Sequence, residues 1–441
     1  MLLIGDTSEI PLLPDPGNPV YEYRAALLAR QGDIVALSSP PNRPYEAYLT
    51  SYLGLPSFDV AVAEQPPNGH IVPMAKRLMN DQPVFGQLVA RARDSGSLTI
   101  VPHLVTGLSW SLASNIAAAA EVDIYICGPP PRLSKRLNDK LWFADCAAKV
   151  LGRRANWTTV SAFGPAALAG IVKKLSRRWT RLVIKVPDSA GSAGNIRIDS
   201  LQMRGRGLSA IRDYLMDLLS GLGWHGRFPL MVEVWDMSVL SSPSVQMWIP
   251  EADAGPPILE GIFEQIVEGP VGAFAGAVPA ELPDPWATRI ANEAGRLAWL
   301  FQILGYFGPC SFDCIICGTS YTNANVHWIE CNARWGGVSL PMTFANRVLG
   351  QQSDLQYIIV QREERIGQSW TLPDVLKALS GLLFDKRVRP EGVILLTTTG
   401  LEKRRGMHFM VVAATIDEAK TIAVEAMHRL RQPNKVTAVL D

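Results

Sequence analysis

The sequence predicts an α/β protein of about three domains, and three observations carry that prediction. At 441 residues the chain exceeds one ordinary hydrophobic core. Residues 1 to about 130 alternate short apolar runs with helix-like stretches, the pattern of βα units around a mainly parallel sheet. Residues 136 to about 350 read differently, as strands joined by loops with helices only at intervals. Composition agrees with a globular chain, since 48% of residues are hydrophobic and 19% charged. The net charge is +1 and no basic run could track a phosphate backbone, so nucleic acid is excluded as a partner.

In chain order, MLLI, DIVALS, FDVAVA, LTIV and DIYIC are the expected N-terminal strands, and YEYRAALLARQGD is a helix. MLLIGDTSEI has no basic leader and meets Asp6, so it reads as a strand start and not a signal peptide. The longest uncharged apolar stretch is broken by Gly305, Gly308 and Pro309, too short to span a bilayer. A cytoplasmic protein without a membrane partner is expected, with its six cysteines reduced.

GPPPRLSKRLN, with an expected N-cap at Asn138, marks a boundary, and the first domain is 1–135. The helix DKLWFADCAAKVLG opens a second domain, 136–350, divided into 136–230 and 231–350. Within it RLVIKV and IRI are strands around the loop DSAGSAG, SAIRDYLMDLLSGLG is a helix and LMVEVWDMSV a strand. Asp284 caps a helix at Pro285, and Ile290, Ala294, Leu297, Phe301 and Leu304 form its apolar stripe before Gly305 stops it. The third domain, 351–441, carries LPDVLKALSGLLF, GVILLTTTG, HFMVVAA and TIDEAKTIAVEAMHRL, a small α/β unit. No repeat of 20 to 50 residues is present, which excludes a solenoid.

The densest chemistry lies in IECNARWGG, residues 329–337. Apolar flanks make it a strand, so Glu330, Asn332 and Arg334 share one face while Ile329, Cys331 and Ala333 share the other. A symmetric hairpin with SFDCIIC around the loop 318–325 places Asp313 opposite Glu330. Two facing carboxylates repel unless a positive charge lies between them. Either the face is solvated, or Asp313, Glu330 and Asn332 offer hard oxygen ligands for Mg²⁺, with substrate phosphates completing its shell. The loop in VIKVPDSAGSAGNIRI, with Ser189, Gly191, Ser192 and Gly194, fits neither a P-loop nor a dinucleotide fingerprint. It is a hairpin connection or a phosphate cover, and Lys185 supplies a point charge beside it.

Taken in order, NDK with Lys140, VIKVPDSAGSAGN with Lys185, MVEVWD with Glu233 and Trp235, FAGAVPAELPDPW, GPCSFDCII with Asp313 and IECNARWGG resemble the ATP-grasp superfamily. The N-terminal stretch with Gly17 and Asn18, together with the tail after VSLPM, resembles the pheganomycin-type peptide ligases. That resemblance implies a pre-ATP-grasp α/β domain, a two-subdomain ATP-grasp fold and a small C-terminal α/β domain. It also implies ATP and Mg²⁺ as cofactors, phosphate contacts from Lys140 and Lys185, adenine contacts from Glu233 and from the backbone of Trp235 and Asp236, and a possible homodimer. The implied reaction joins an amino acid carboxylate to a peptide amine through an acyl phosphate; the planar fork of Arg334 suits the transferred phosphoryl group or the acyl phosphate, with Lys185 as the second catalytic candidate. Gly336 and Gly337 would bring backbone N–H groups to the same point. Ser244 stands where an acid for the ribose is usual, and no lysine follows Lys185 before Lys377, leaving Arg204, Arg206 or Arg289 to replace a lid lysine.

Rival readings are another ATP-grasp enzyme, such as a dipeptide ligase or small-molecule carboxylase, and a non-catalytic nucleotide-binding regulator. Cys310, Cys314 and Cys317 have an iron–sulfur spacing, but a strand would aim Cys314 and Cys317 to opposite faces. The histidines form no zinc motif. EKRR, with Arg404 and Arg405, reads as a solvated turn or a contact for acidic peptide groups.

Overall fold

A computed structural model describes the chain except residues 14–18, 68, 153–154, 156–158, 236–237, 270–271, 351–353, 363–369, 398–405 and 433–441. Gly17, Asn18, Asp236, Arg404 and Arg405 therefore lie outside the described residues. The five N-terminal apolar runs become β1 (Leu2–Ile4), β2 (Ile34–Leu37), β3 (Asp59–Val62), β4 (Ser97–Pro102) and β5 (Asp123–Ile126). All pair in parallel, in the order β3-β2-β1-β4-β5. Their central runs are continuously apolar because both faces are covered. Leu2, Ile4, Ile34 and Ala36 pack with Met74, Leu88 and Leu112 on one face, whereas Leu3, Val35 and Leu37 face a core shared with the C-terminal strands.

The proline-rich boundary is a helix, Pro131–Leu137, since proline is tolerated in a first turn. The next helix, Lys140–Leu151, is capped by Asp139, whose carboxylate accepts from the N–H groups of Leu141 and Trp142, both at 2.9 Å. Asn138 is thus not the N-cap expected from the sequence, and its side chain turns elsewhere.

A second sheet contains β6 (Val160–Ala162), β7 (Arg181–Lys185), β8 (Asn195–Asp199) and β9 (Leu230–Val234), antiparallel in the order β6-β9-β7-β8. Leu182, Ile184, Ile196, Ile198 and Val232 bury one face together with Leu168, Ile211 and Leu215 of the helices Pro165–Ser176 and Leu208–Gly221. Strand alternation then puts Lys185, Arg197 and Glu233 on the other face.

The remaining strands are β10 (Val239–Ser241), β11 (Pro243–Ile249), β12 (Ile258–Glu268), β13 (Ala273–Pro279), β14 (Gly308–Cys317), β15 (Asn325–Asn332), β16 (Gln356–Arg362), β17 (Gly392–Leu395) and β18 (Met407–Ala413). They form one sheet in the order β10-β14-β11-β12-β13-β16-β18-β17, with β15 on the free side of β14. The segment LMVEVWDMSV is not one strand: β9 ends at Val234 in the second sheet and β10 begins at Val239 in the third. In the helix Asp284–Ile303, Ile290, Ala294, Leu297 and Phe301 are fully buried against this sheet. Leu304 is 45% exposed because the helix ends before it, and Asp284 lies inside the first turn after Pro283 instead of capping it. No helix among the described residues is long and apolar enough to cross a membrane.

The strands after residue 350 continue the third sheet through one seam, in which Gly276 of β13 faces Val360 of β16. Gly276 has φ +148°, and a Cβ there would lie 2.2 Å from the Ile359 carbonyl oxygen. Gly276→Ala is expected to lower unfolding stability by about 1–3 kcal/mol, read by urea denaturation. An unchanged midpoint would mean the seam adapts.

Candidate active site

Strands β14 and β15 pair with Ser311 opposite Asn332, Phe312 opposite Cys331 and Asp313 opposite Glu330. The register then shifts by one between Asp313 and Cys314, so Cys314 faces Trp328 and Ile329 is the extra residue of a bulge. Beyond the bulge Cys331 and Ala333 are buried with Phe312, while Glu330, Asn332 and Arg334 are half-buried on the opposite face. Before it Val326 and Trp328 turn inward, and the Trp328 indole donates to Glu293 at 2.7 Å. The bulge thus re-aims the strand so that apolar anchors hold both halves while three polar groups point into one cleft.

Asp313 accepts from Ser244 Oγ at 2.5 Å and from Asn332 Nδ2 at 3.0 Å, and Gln246 Nε2 donates to Ser244 Oγ at 2.8 Å. Ser244 lies directly across from Asp313 on β11. Ser244 therefore belongs to the Asp313 end of the site and orients that carboxylate. Burial, and then the Glu330 charge, push the Asp313 carboxyl up to about 7. Burial also acts to raise Glu330, but the charge and hydrogen bond of Lys140, followed by Lys185 and Arg334, outweigh it and hold Glu330 below its ordinary value. Glu330 is thus held toward the ionised form, while Asp313 is held toward the protonated form, chiefly by its burial.

Two buried lysines reach this region from different elements. Lys140, in the first turn of its helix, lies 2.8 Å from Glu330 Oε2 and also donates to the Ser189 carbonyl. Lys185, ending β7, lies 2.5 Å from Glu233 Oε2, and Thr159 Oγ1 donates to Glu233 Oε1 at 2.7 Å. The loop between β7 and β8 is drawn down over this face. Ser189 Oγ donates to the Val186 carbonyl at 2.8 Å, and Ser192 Oγ donates to the Gly272 carbonyl beside β13 at 3.1 Å. A Cβ at Gly194 would sit 2.1 Å from Ser189 Oγ, so only glycine lets the loop fold this tightly. Gly191 and Ser192 have φ near +60°, which turns the loop tip.

Arg334 is clamped at both ends of its fork. Nη2 donates to Asn332 Oδ1 at 2.7 Å and Nη1 donates to Asn138 Oδ1. Asn138 also accepts from the Ala333 N–H at 3.2 Å and donates to the Ala333 carbonyl at 3.3 Å, fixing the turn that carries the guanidinium. From the N-terminal sheet, the His103 carbonyl accepts from the Trp335 N–H at 3.1 Å. Burial, with Arg334 and Arg24 nearby, pushes His103 down to about 3, so a neutral imidazole sits beside the cation.

Lys140, Lys185, Glu233, Asp313, Glu330, Asn332 and Arg334 are therefore linked through one cleft between the second and third sheets, with the 189–194 loop over it. Other expectations are corrected. The Gly336 N–H donates to Ser339 Oγ at 2.8 Å, and a Cβ at Gly337 would meet Phe274 at 2.8 Å, so these glycines serve the local turn and packing. Arg204 donates to the Ser176 carbonyl, Arg206 lies over Tyr214, and Arg289 pairs with Glu293 at 2.8 Å. Among the described residues, none of the three is paired with a residue of the cleft. Cys310 and Cys314 are buried in the core, whereas Cys317 faces the other way on β14. Thr159 was missed in the sequence, and Asn138 and Ser244 were read there as a helix cap and a ribose neighbour, because single polar residues without a spacing pattern carry no local signal of their partners.

The donor set suits Mg²⁺. Asp313 and Glu330 face each other with Asn332 beside them, all hard oxygen ligands. Among the described residues no group of three or more His, Cys, Asp or Glu could hold a metal by itself. Two carboxylates and an amide match an ion that keeps waters or substrate phosphates in its shell.

A family model described as the pre-ATP-grasp domain matches residues 22–118. No curated protein matches the chain. Among solved structures, biotin carboxylase from Campylobacter jejuni, in a β,γ-ATP complex, aligns at 13% identity over 100% of this chain and 97% of that one, with a TM-score of 0.57. N5-carboxyaminoimidazole ribonucleotide synthetase from Thermus thermophilus aligns at 13% identity over 98% of both chains, with a TM-score of 0.55. N5-carboxyaminoimidazole synthase from Aspergillus clavatus, in complex with ADP and 5-aminoimidazole ribonucleotide, aligns at 16% identity over 98% of both, with a TM-score of 0.56. At such low identity these likenesses concern architecture, and together they show that the chain has an ATP-grasp fold preceded by a pre-ATP-grasp domain.

Proposed function

We propose that the protein is an ATP-dependent, ADP-forming ligase that joins an amino acid carboxylate to the N-terminal amine of a peptide, as in the making of a peptide natural product. The observation that carries this reading is the opposition of Asp313 and Glu330 on neighbouring strands with Lys140, Lys185 and Arg334 around them. Lys140, Lys185 and Arg334, set among the carboxylates Asp313, Glu330 and Glu233 in one half-buried cleft, suit a polyanionic ligand together with a divalent ion. Asp313, Glu330 and Asn332 would hold Mg²⁺, which supplies neutralisation of phosphate charge.

An ionised carboxylate has no leaving group, so an amine cannot displace one unaided. Phosphoryl transfer from ATP forms a carboxyl-O–P bond as the bond to the ADP oxygen breaks, and the resulting acyl phosphate is open to attack by an amine. Lys185 and Lys140 balance charge on the triphosphate, and the 189–194 loop excludes water from it. Arg334, preset by Asn138 and Asn332, offers its planar fork to the oxygens of the acyl phosphate. As the amine attacks, the C–O bond to phosphate breaks and inorganic phosphate leaves.

The test is ADP release with Mg-ATP across amino acids, each with and without short peptides, with products identified by mass. Carboxylate labelled with ¹⁸O is expected to deliver one label to inorganic phosphate. ADP release that requires bicarbonate and gives a carboxylated product would assign a carboxylase instead. Tight ATP binding with no turnover for any acid and amine would favour a regulator.

A further inference from the structure

The cleft face of the second sheet carries an arginine that the lysine and loop motifs do not account for. On β7, Val183 is flanked by Glu233 of β9 on one side and by Arg197 of β8 on the other. Arg197 and Glu233 therefore share a face at one level, two strand spacings or about 10 Å apart. The Arg197 guanidinium lies over the Trp235 ring, with Cζ 4.5 Å from the ring centroid. The backbone N–H of Trp235 donates to the Arg181 carbonyl at 3.1 Å, and the far edge of its ring lies near Gly272, where a Cβ would be 4.0 Å away.

This position distinguishes Arg197 from the other cations. Lys185 ends β7 next to the covering loop, whereas Trp235 sits level with Arg181 at the opposite end of the same strand. Four residues of strand separate the two levels by about 13 Å. A triphosphate gathered by Lys140, Lys185 and the loop thus leaves the Trp235 end for the rest of the nucleotide. There, Arg197 offers a planar, weakly hydrated cation, a surface on which a π-system stacks.

We infer that Arg197, held over Trp235, is the stacking platform for the purine base of the bound nucleotide. This rests on the reading that ATP occupies the cleft, and the experiment separates the two claims. Wild-type protein, Arg197→Ala, Arg197→Lys and Arg197→Gln are titrated calorimetrically with Mg²⁺ and a non-hydrolysable ATP analogue, and separately with Mg²⁺ and inorganic tripolyphosphate.

The expected result is that Arg197→Ala weakens the analogue about 5- to 100-fold and leaves tripolyphosphate binding unchanged. Arg197→Gln, which keeps a planar amide, recovers part of the loss. Arg197→Lys, which keeps charge without the plane, does not. Equal weakening of both ligands in Arg197→Ala and Arg197→Gln would overturn the inference in favour of a phosphate contact, and no change in either would place Arg197 outside the site. A wild-type protein that binds tripolyphosphate and the analogue equally well would also overturn it, because the base would then add nothing. Binding of neither ligand by the wild type would remove the nucleotide reading, and this inference with it. Should Arg197→Ala fail to fold, the contrast between Arg197→Gln and Arg197→Lys still decides the matter.

Discussion

Glu330→Gln is expected to reduce ATP-driven ADP release by about 10²- to 10³-fold without altering the fold. The substitution keeps shape and removes charge at the residue that faces Asp313 and pairs with Lys140 at 2.8 Å. A divalent ion loses its one fully ionised ligand, and phosphate charge developing during transfer is then less well balanced. Lys140, only 6% exposed, also loses its partner. A modest destabilisation therefore accompanies the loss of turnover, because a buried cation without an acid is costly. The measurement is steady-state ADP release beside a thermal melt. Retained turnover would show that Glu330 is a structural partner of Lys140 alone. An unfolded variant is distinguished by the melt, and Lys140→Met with Glu330→Gln then removes the unpaired charge while keeping the missing ligand.

The second large effect is a pH dependence of stability that a divalent ion reverses. A carboxyl raised from its ordinary 3.8 to about 7 is protonated in the folded protein over a range in which the unfolded chain has lost the proton. Its contribution is fully present below about pH 4 and is lost as pH rises through 7. At about 1.4 kcal/mol per pH unit, the loss due to Asp313 approaches about 4 kcal/mol by pH 8. Glu330 is displaced the other way, so its contribution is present above its ordinary value and is lost only as pH falls further. Between pH 5.5 and 8 His103, held near 3 against an ordinary 6.5, runs the other way, because the unfolded chain takes up a proton there that the folded protein does not; the Asp313 trend is therefore read as the difference between the wild type and Asp313→Asn.

Without added metal or nucleotide, the change in melting temperature from pH 5.5 to pH 8 is expected to be less favourable in the wild type than in Asp313→Asn, which lacks the titrating carboxyl. Addition of Mg²⁺ with an ATP analogue is expected to stabilise more at pH 8, where the acidic pair is ionised. Equal stabilisation at both pH values would argue that Asp313 does not meet the ion. Ser244→Ala sharpens the comparison, because it removes the hydrogen bond that favours the ionised form and moves the Asp313 transition to still higher pH.

The sequence by itself determined the elements whose physics is local. Short apolar runs such as MLLI, DIVALS and LTIV specified strands, and continuous burial of runs such as Ile34–Leu37 followed from sheet faces covered on both sides. The spacing Glu330, Asn332, Arg334 fixed one shared face, and a symmetric hairpin set Asp313 opposite Glu330, although the strands leave the turn one residue out of that register, with Cys317 opposite Asn325, and the bulge at Ile329 restores it. In each case a residue's neighbours in sequence were also its neighbours in space, so pattern and geometry coincided.

Tertiary structure decided what depends on contacts between distant segments. LMVEVWDMSV reads as one strand, yet its two halves pair in different sheets, because the partners of β9 and β10 were not encoded in the segment itself. The bulge that turns Trp328 and Cys331 to the same core arose from packing on both sides of β15. Asn138 reads as a helix cap, but Asp139 takes the cap and frees Asn138 to clamp Arg334, 196 residues away. Arg197 looks like any strand arginine until three antiparallel strands bring it over Trp235. A side chain's periodicity is set by its own backbone, whereas its partner is set by the closure of long loops around a common core, and that closure has no local signature.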